Sequence, residues 1–390
     1  MREAQNYKEE LSRIYRTLMS SKRIESVDNS LLGGEAGALL FCILFEETSY
    51  NTGTLSDGLQ ERIHQTIAHL FLSTNHTFCH NSGIKWLFTF LNKKGYLEKG
   101  DYRWLTKASD QTSLLFLEEL INKQNFDFIY GSTGIVYYFV YKEKQQHSYY
   151  RIYKKYLQSL LNQIQKEGGI FEYSFTESKP ILGCINLGMP HGLLSVLVVC
   201  MSLYKKQILK RDAKLIIDYI VQKLIFCNTN NNLFFPKRID KTSVIEESNQ
   251  KTLAWCYGDL IIASTLLDYA KQFKDPLVEQ YAHIILQNST QNIKSQRNNV
   301  NSIWFCHGTA GIAHLYNCLW NKTANISFKD ARDFWVLETV RLLKKEKIFN
   351  SIESKPCPIS ILEGLSGVGL MLNSYHTNNF EWSQSLLIDA

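Results

Sequence analysis

The sequence predicts an all-α protein in which seven helical hairpins close into a ring. Three observations carry that prediction: a small-residue motif recurs seven times, an apolar segment follows each copy, and amphipathic patterns fill the spaces between. The motif stretches are "GGEAGALLFCILF" from Gly33, "HNSGIKWLFTFL" from His80, "GSTGIVYYFV" from Gly131, "GMPHGLLSVLVV" from Gly188, "CYGDLIIASTLL" from Cys256, "GTAGIAHLYNCL" from Gly308 and "GLSGVGLMLNSY" from Gly364. Aligned on Gly37, Gly83, Gly134, Gly192, Ile261, Gly311 and Gly367, they recur about every fifty residues, the length of one helical hairpin with its loops.

Each motif is read as a loop in which small residues let chains approach closely. The apolar run behind it reads as a helix buried on all sides. The next helix is amphipathic. In "DGLQERIHQTIAHLFLS" the apolar positions Leu59, Ile63, Ile67, Leu70 and Phe71 form a stripe of period 3.6. "RIYKKYLQSLLNQIQ" from Arg151 and "AKLIIDYIVQKLIF" from Ala213 follow the same pattern. Apolar helices would line the inside of the ring, amphipathic helices would cover it, and the motif loops would gather at one end. The widest spacing holds "FCNTNNNLFFPKRIDKTSVIEESNQ", a polar loop with a short hairpin expected at "NNLFFPKR" and no second domain. Residues 1–390 are expected to form a single domain.

Composition narrows the function. Of 390 residues, 45% are hydrophobic and 21% charged, enough for a substantial core. A net charge of +6 suits a solvated surface with a mild pull on acidic peptides and falls short of a nucleic-acid footprint. The nine cysteines have no disulfide spacing. "MREAQNYKEELSRIYRTLMS" is polar and amphipathic, unlike a signal peptide, and no apolar run reaches membrane-spanning length. These features point to a reducing cytoplasm, where the N-x-S/T matches at Asn75, Asn288, Asn321 and Asn325 carry no glycans.

Chemistry concentrates in three motifs. Cys256 stands two residues before Gly258, Cys306 and His307 stand directly before Gly308, and His191 precedes Gly192. Motif loops gathered at one end would bring these side chains together. Two thiolates and an imidazole are a donor set for a catalytic Zn²⁺ with an open fourth position, and the chain has no CxxC pair of the kind a structural zinc commonly uses. The competing reading makes the cysteines small buried hydrophobes. That reading is assigned to Cys42, Cys79, Cys184, Cys200, Cys227, Cys318 and Cys357. His191 alone could equally cap or pack.

"GMPHG", "AWCYGD" and "FCHGTAGI", in this order on a sevenfold glycine-motif repeat, resemble the lanthionine synthetase C-like family, the lantibiotic cyclases. The resemblance runs from Gly33 to about Leu372. It implies an α,α-toroid of seven hairpins and one zinc ion on Cys256, Cys306 and His307. It implies a cyclase that adds peptide cysteine thiols to dehydroalanine or dehydrobutyrine, forming (methyl)lanthionine thioether rings. The partners implied are the dehydrated precursor peptide, a separate dehydratase and a transporter.

On this reading zinc keeps the incoming thiol as thiolate, and two protein thiolates leave it electron-rich. His191 matches the family's GxxHG histidine and would protonate the product at its α-carbon. Asp127 of "DFIYG" would orient a histidine or help deprotonate the thiol; its alternative is a cap. Tyr257 would hydrogen-bond the enolate oxygen, or else pack in the wall. Trp255 packs, and Asp259 caps or supports from behind. One position departs from the family: four residues before Cys256, where many members carry arginine, stands Thr252 beside Lys251. Lysine lacks the guanidinium fork. The rival readings are glutathione addition to dehydrated residues on the same scaffold, and a toroid that only binds peptide. A glycosidase would need paired carboxylates, and Asp127, Asp259 and Glu363 suggest no pair.

Overall fold

Helix boundaries follow the small-residue motifs. The structure is a computed structural model that describes residues 2–20, 28–49, 54–142, 149–227, 235–240, 253–291, 293, 300, 302–345, 349 and 358–388. Its helices are α1 (Arg2–Ser20), α2 (Glu35–Ser49), α3 (Asp57–Leu72), α4 (Asn81–Lys94), α5 (Lys99–Asn122), α6 (Ser132–Lys142), α7 (Tyr150–Glu167), α8 (Leu193–Lys205), α9 (Lys210–Phe226), α10 (Asp259–Phe273), α11 (Pro276–Thr290), α12 (Thr309–Thr323), α13 (Ile326–Lys345) and α14 (Leu365–Thr377). The described residues also include short strands β1 (Tyr173–Ser174), β2 (Lys179–Pro180), β3 (Cys184–Asn186) and β4 (Arg238–Asp240) and a 3-10 helix over Glu381–Leu386. The all-α class is as predicted. Among the described residues no helix is long and apolar enough to cross a membrane.

The helices that follow the motifs are buried almost all round. In α8 every residue from Leu193 to Met201 is buried, and in α14 every residue from Leu365 to Ser374. Alternate helices bury a single stripe. In α9 the buried residues are Ala213, Ile216, Ile217, Ile220, Val221 and Leu224, the spacing of one face of a 3.6-residue helix. Gly95 (φ 84°) and Gly168 (φ 87°) close α4 and α7 in the left-handed conformation; Gly95 N–H donates back to Asn92 O, the following Tyr96 N–H to Leu91 O, and Gly168 N–H to Ile164 O.

The chain divides into two compact units. One comprises Met1–Leu72, Leu253–Trp255 and Ser289–Asp389. In it the buried helices α12, α14 and α2 pack in succession, α1 lies against α2 and α14, α3 against α2, and α13 against α12. The other comprises Ser73–Thr252 and Cys256–Asn288. There α4, α6, α8 and α10 pack in succession, and α5, α7 and α9 cover them.

Lys85 is one of several buried polar residues that break the apolar pattern. Lys85 of α4 is wholly buried and reaches Asp110 Oδ1 at 3.1 Å and Ser113 Oγ at 2.6 Å, while Lys142 Nζ (2.5 Å) and the Tyr138 hydroxyl (2.9 Å) reach the same carboxylate. A paired, fully hydrogen-bonded charge is the form in which a lysine survives burial.

The hairpin expected at "NNLFFPKR" lies partly outside the described residues. Its described end forms β4, which pairs antiparallel with distant β3, setting Asn186 opposite Arg238 and Cys184 opposite Asp240. Cys184 is half-buried with its sulfur 3.5 Å from Glu172, a correction to its reading as a core residue, whereas Cys42, Cys79, Cys200, Cys227 and Cys318 are buried as expected. Cys357, Lys251 and Thr252 lie outside the described residues.

Candidate metal centre and its surroundings

Each buried helix starts directly after Gly34, His80, Gly131, Gly192, Gly258, Gly308 or Gly364. The loops ahead of these residues are sewn together by one recurring backbone bond. In one unit Phe128 N–H donates to Pro190 O (3.1 Å) and Met189 N–H to Cys256 O (3.0 Å). In the other Trp255 N–H donates to Cys306 O (3.2 Å), Cys306 N–H to Leu362 O (2.9 Å) and Ile361 N–H to Leu32 O (3.1 Å). The accepting residue always stands two before the helix-opening residue.

That register corrects one alignment. Gly192 opens its helix, as Gly131 and Gly308 do, so Ser195 occupies the place of Gly134 and Gly311. It also explains the pairing of chemistry. Cys256 and Cys306 take the same position in consecutive repeats. One residue later, four consecutive repeats place Tyr130, His191, Tyr257 and His307.

Cys256, Cys306 and His307 each offer one ligand atom, and these atoms all lie within 4.8 Å of one another. Trp255, joined to Cys256 by a peptide bond, holds that segment through its bond to Cys306 O and through its buried indole N–H, which donates to Leu386 O at 2.9 Å. Cys256 is buried, Cys306 half-buried and His307 exposed. Two thiols and an imidazole at this spacing fit a zinc ion, with three protein donors and access from the His307 side.

His191 lies in the unit that contains Cys256. Its Nδ1 is 2.5 Å from Asp127 Oδ2, and Asp127 Oδ1 accepts the Tyr130 N–H at 2.7 Å. Asp127 is buried; the His191 side chain is 31% exposed, open on one side. With Nδ1–H committed to the carboxylate, Nε2 is the nitrogen that exchanges protons. Burial pulls the imidazole pKa down, but the Asp127 hydrogen bond and charge, with smaller help from Glu172 and Cys256, carry it above its ordinary value. The Tyr130 ring stacks beside His191 with centroids 6.3 Å apart.

Tyr257 is held from the other side. Asn186 Nδ2 donates to its hydroxyl oxygen at 3.2 Å, and Asn186 Oδ1 accepts Gly188 N–H at 2.8 Å. Burial raises the phenol pKa, so the hydroxyl stays protonated and able to donate. Gly188 is required there: a Cβ would come within 2.5 Å of both Cys256 O and the Tyr257 ring. A cavity of about 10 Å³, room for one water, touches Asp127, Glu172, Asn186 and His191.

Asp259 does not face this chemistry; its Oδ1 accepts Phe235 N–H at 2.7 Å, tying the β4 approach to α10. Asn186, Glu172 and Arg238 had no motif to announce them. Glu172 holds Arg238 through Nε and, at 2.6 Å, through Nη2.

A family description, "Lanthionine synthetase C-like protein", matches residues 25–387. "Nisin biosynthesis protein NisC" of Lactococcus lactis subsp. lactis is 24% identical over 292 residues, 69% of this chain and 66% of its own length, just under two thirds. The solved structure "Nisin cyclase" superposes with a TM-score of 0.74 at 18% identity, covering 99% of this chain and 97% of that one. The likeness shows a shared fold. The chain belongs to the lanthionine synthetase C-like family.

Proposed function

We propose that this member of the lanthionine synthetase C-like family is a zinc-dependent cyclase. It joins cysteine thiols of a dehydrated precursor peptide to dehydroalanine or dehydrobutyrine as thioether rings. The observation that carries this reading is the clustering of Cys256, Cys306 and His307, next to a repeat that presents a carboxylate-paired histidine. Cys256, Cys306 and His307 would hold Zn²⁺, which when bound supplies the lowered thiol pKa that makes a thiolate available at neutral pH.

The chain's own groups account for the rest. The substrate sulfur bonds to the β-carbon of the dehydro residue, and the alkene electron pair moves onto the adjoining carbonyl as an enolate. Tyr257, kept protonated by burial and oriented by Asn186, donates to that oxygen. His191 Nε2 delivers a proton to the α-carbon, and Asp127 stabilises the imidazolium before transfer. Trp255 and Gly188 keep the loops in register. The whole chain acts as one domain in the cytoplasm, taking its peptide from a separate dehydratase and passing it to a transporter.

Cyclisation leaves peptide mass unchanged while consuming thiols. A dehydrated cysteine-containing peptide, incubated with the protein and then alkylated, should lose alkylation adducts one ring at a time. Adducts that persist at the no-enzyme level would refute cyclisation. Uptake of added glutathione by the peptide instead would favour thiol addition from solution.

A further inference from the structure

The developing enolate needs positive charge as well as the Tyr257 hydroxyl, and the place four residues before Cys256 holds threonine. The β3–β4 pairing brings cations toward Tyr257 by another route. β4 pairs with β3 so that Arg238 stands directly opposite Asn186, and directly opposite residues project from the same face of a ladder. Asn186 uses that face to hold the Tyr257 hydroxyl. Lys237, the preceding residue, has its Nζ 5.6 Å from the Tyr257 ring centroid.

The segment carrying both cations is anchored at two points. Phe235 N–H donates to Asp259 at the start of α10, and Leu187 N–H donates to Lys237 O at 3.0 Å. Glu172 fixes the guanidinium, and its own backbone is pinned: Glu172 N–H donates to Cys184 O (2.9 Å), and its carbonyl accepts Ile181 N–H (2.8 Å). The clamp uses Nε and Nη2, leaving Nη1 outside the pair. The Arg238 side chain remains 45% exposed while Glu172 is 12% exposed. Such a layout turns the donor edge outward and the carboxylate inward. Glu172 also lines the small cavity with His191 and with Asn186, the residue that holds Tyr257.

We infer that Arg238, aimed by Glu172, is a further catalytic residue that donates to the substrate carbonyl oxygen beside Tyr257 as the enolate forms. No new bond is made or broken at Arg238. Its donors answer charge that appears when the sulfur–carbon bond forms and disappears when the α-carbon is protonated. An interaction of this kind acts in the transition state more than in the ground state, so it belongs to kcat.

The inference rests on the cyclase reading, and the test separates the two. Thioether formation is followed with wild type, Arg238→Gln, Arg238→Lys and Glu172→Gln, with zinc content and thermal midpoint measured on each. Arg238→Gln should lower kcat by roughly tenfold to a hundredfold, with KM within about twofold and zinc content unchanged. Arg238→Lys should recover part of the loss, since it keeps the charge without the fork. Glu172→Gln should lose less than Arg238→Gln, because the guanidinium stays. An inactive wild type would sink the cyclase reading and this inference with it. An active wild type with an equally active Arg238→Gln would sink the inference alone. So would a loss confined to KM, or equal losses in Arg238→Gln and Glu172→Gln with no recovery by lysine, which would make the pair a structural clamp.

Discussion

Asp127→Asn changes one oxygen to nitrogen and removes one charge. In the folded chain the carboxylate is buried, meets His191 Nδ1 at 2.5 Å and accepts the Tyr130 N–H at 2.7 Å. The asparagine can keep the Tyr130 bond. It cannot supply the charge that holds a proton on the imidazole, and a charge-assisted bond of this kind is worth about 2 kcal/mol. Roughly a thirtyfold fall in cyclisation rate follows. The pH dependence gives a sharper signature. In the wild type, burial lowers the His191 pKa and the Asp127 interaction more than restores it. Without Asp127, burial wins, so the acid form of His191 is lost at lower pH.

The alkaline limb of the rate profile should therefore move downward in pH. Stability responds with the same sign: a raised histidine pKa stabilises the fold fully below the ordinary imidazole pKa and is lost as pH rises through the raised value. Asp127→Asn should remove that component. The assay is thiol consumption across the pH range, with zinc content as control. A variant with wild-type rate and an unmoved alkaline limb would refute the proton-donor role.

Gly188→Ala should lower both activity and thermal midpoint, because its Cβ must displace the Cys256 carbonyl or the Tyr257 ring; wild-type behaviour in a denaturation and rate comparison would contradict the loop register. Asp110→Asn should cost about 3–5 kcal/mol in chemical denaturation, since it leaves Lys85 buried without its counter-charge. Burial lowers the Lys85 pKa from 10.5 to about 8, so the unfolded chain binds more protons between those values and stability should rise with pH across that window. Lys85→Met should flatten the rise, as read from denaturation midpoints.

The sequence made the repeat and its chemistry legible for the same reason. Cys256, Cys306, His307 and His191 stand one or two residues before a glycine that opens a buried helix, so local spacing reports where they gather. Gly192 shows the limit: "GMPHG" holds two glycines, and spacing alone could not say which one opens α8. Asn186, Glu172 and Arg238 lie outside any motif. They meet through the pairing of β3 with β4, two short strands about fifty residues apart with no turn between them to signal a hairpin. Asp127 sat near a motif, and its part became clear only when the Phe128–Pro190 bond joined its loop to that of His191.

The central claim is that Cys256, Cys306 and His307 form a working zinc site. Metal content, measured on the reduced chain purified without chelator and on Cys306→Ala, tests it most directly. The account predicts one zinc per wild-type chain and little or none in a Cys306→Ala variant that keeps its helical fold. A folded wild-type chain that stays empty after zinc is supplied under reducing conditions would contradict it.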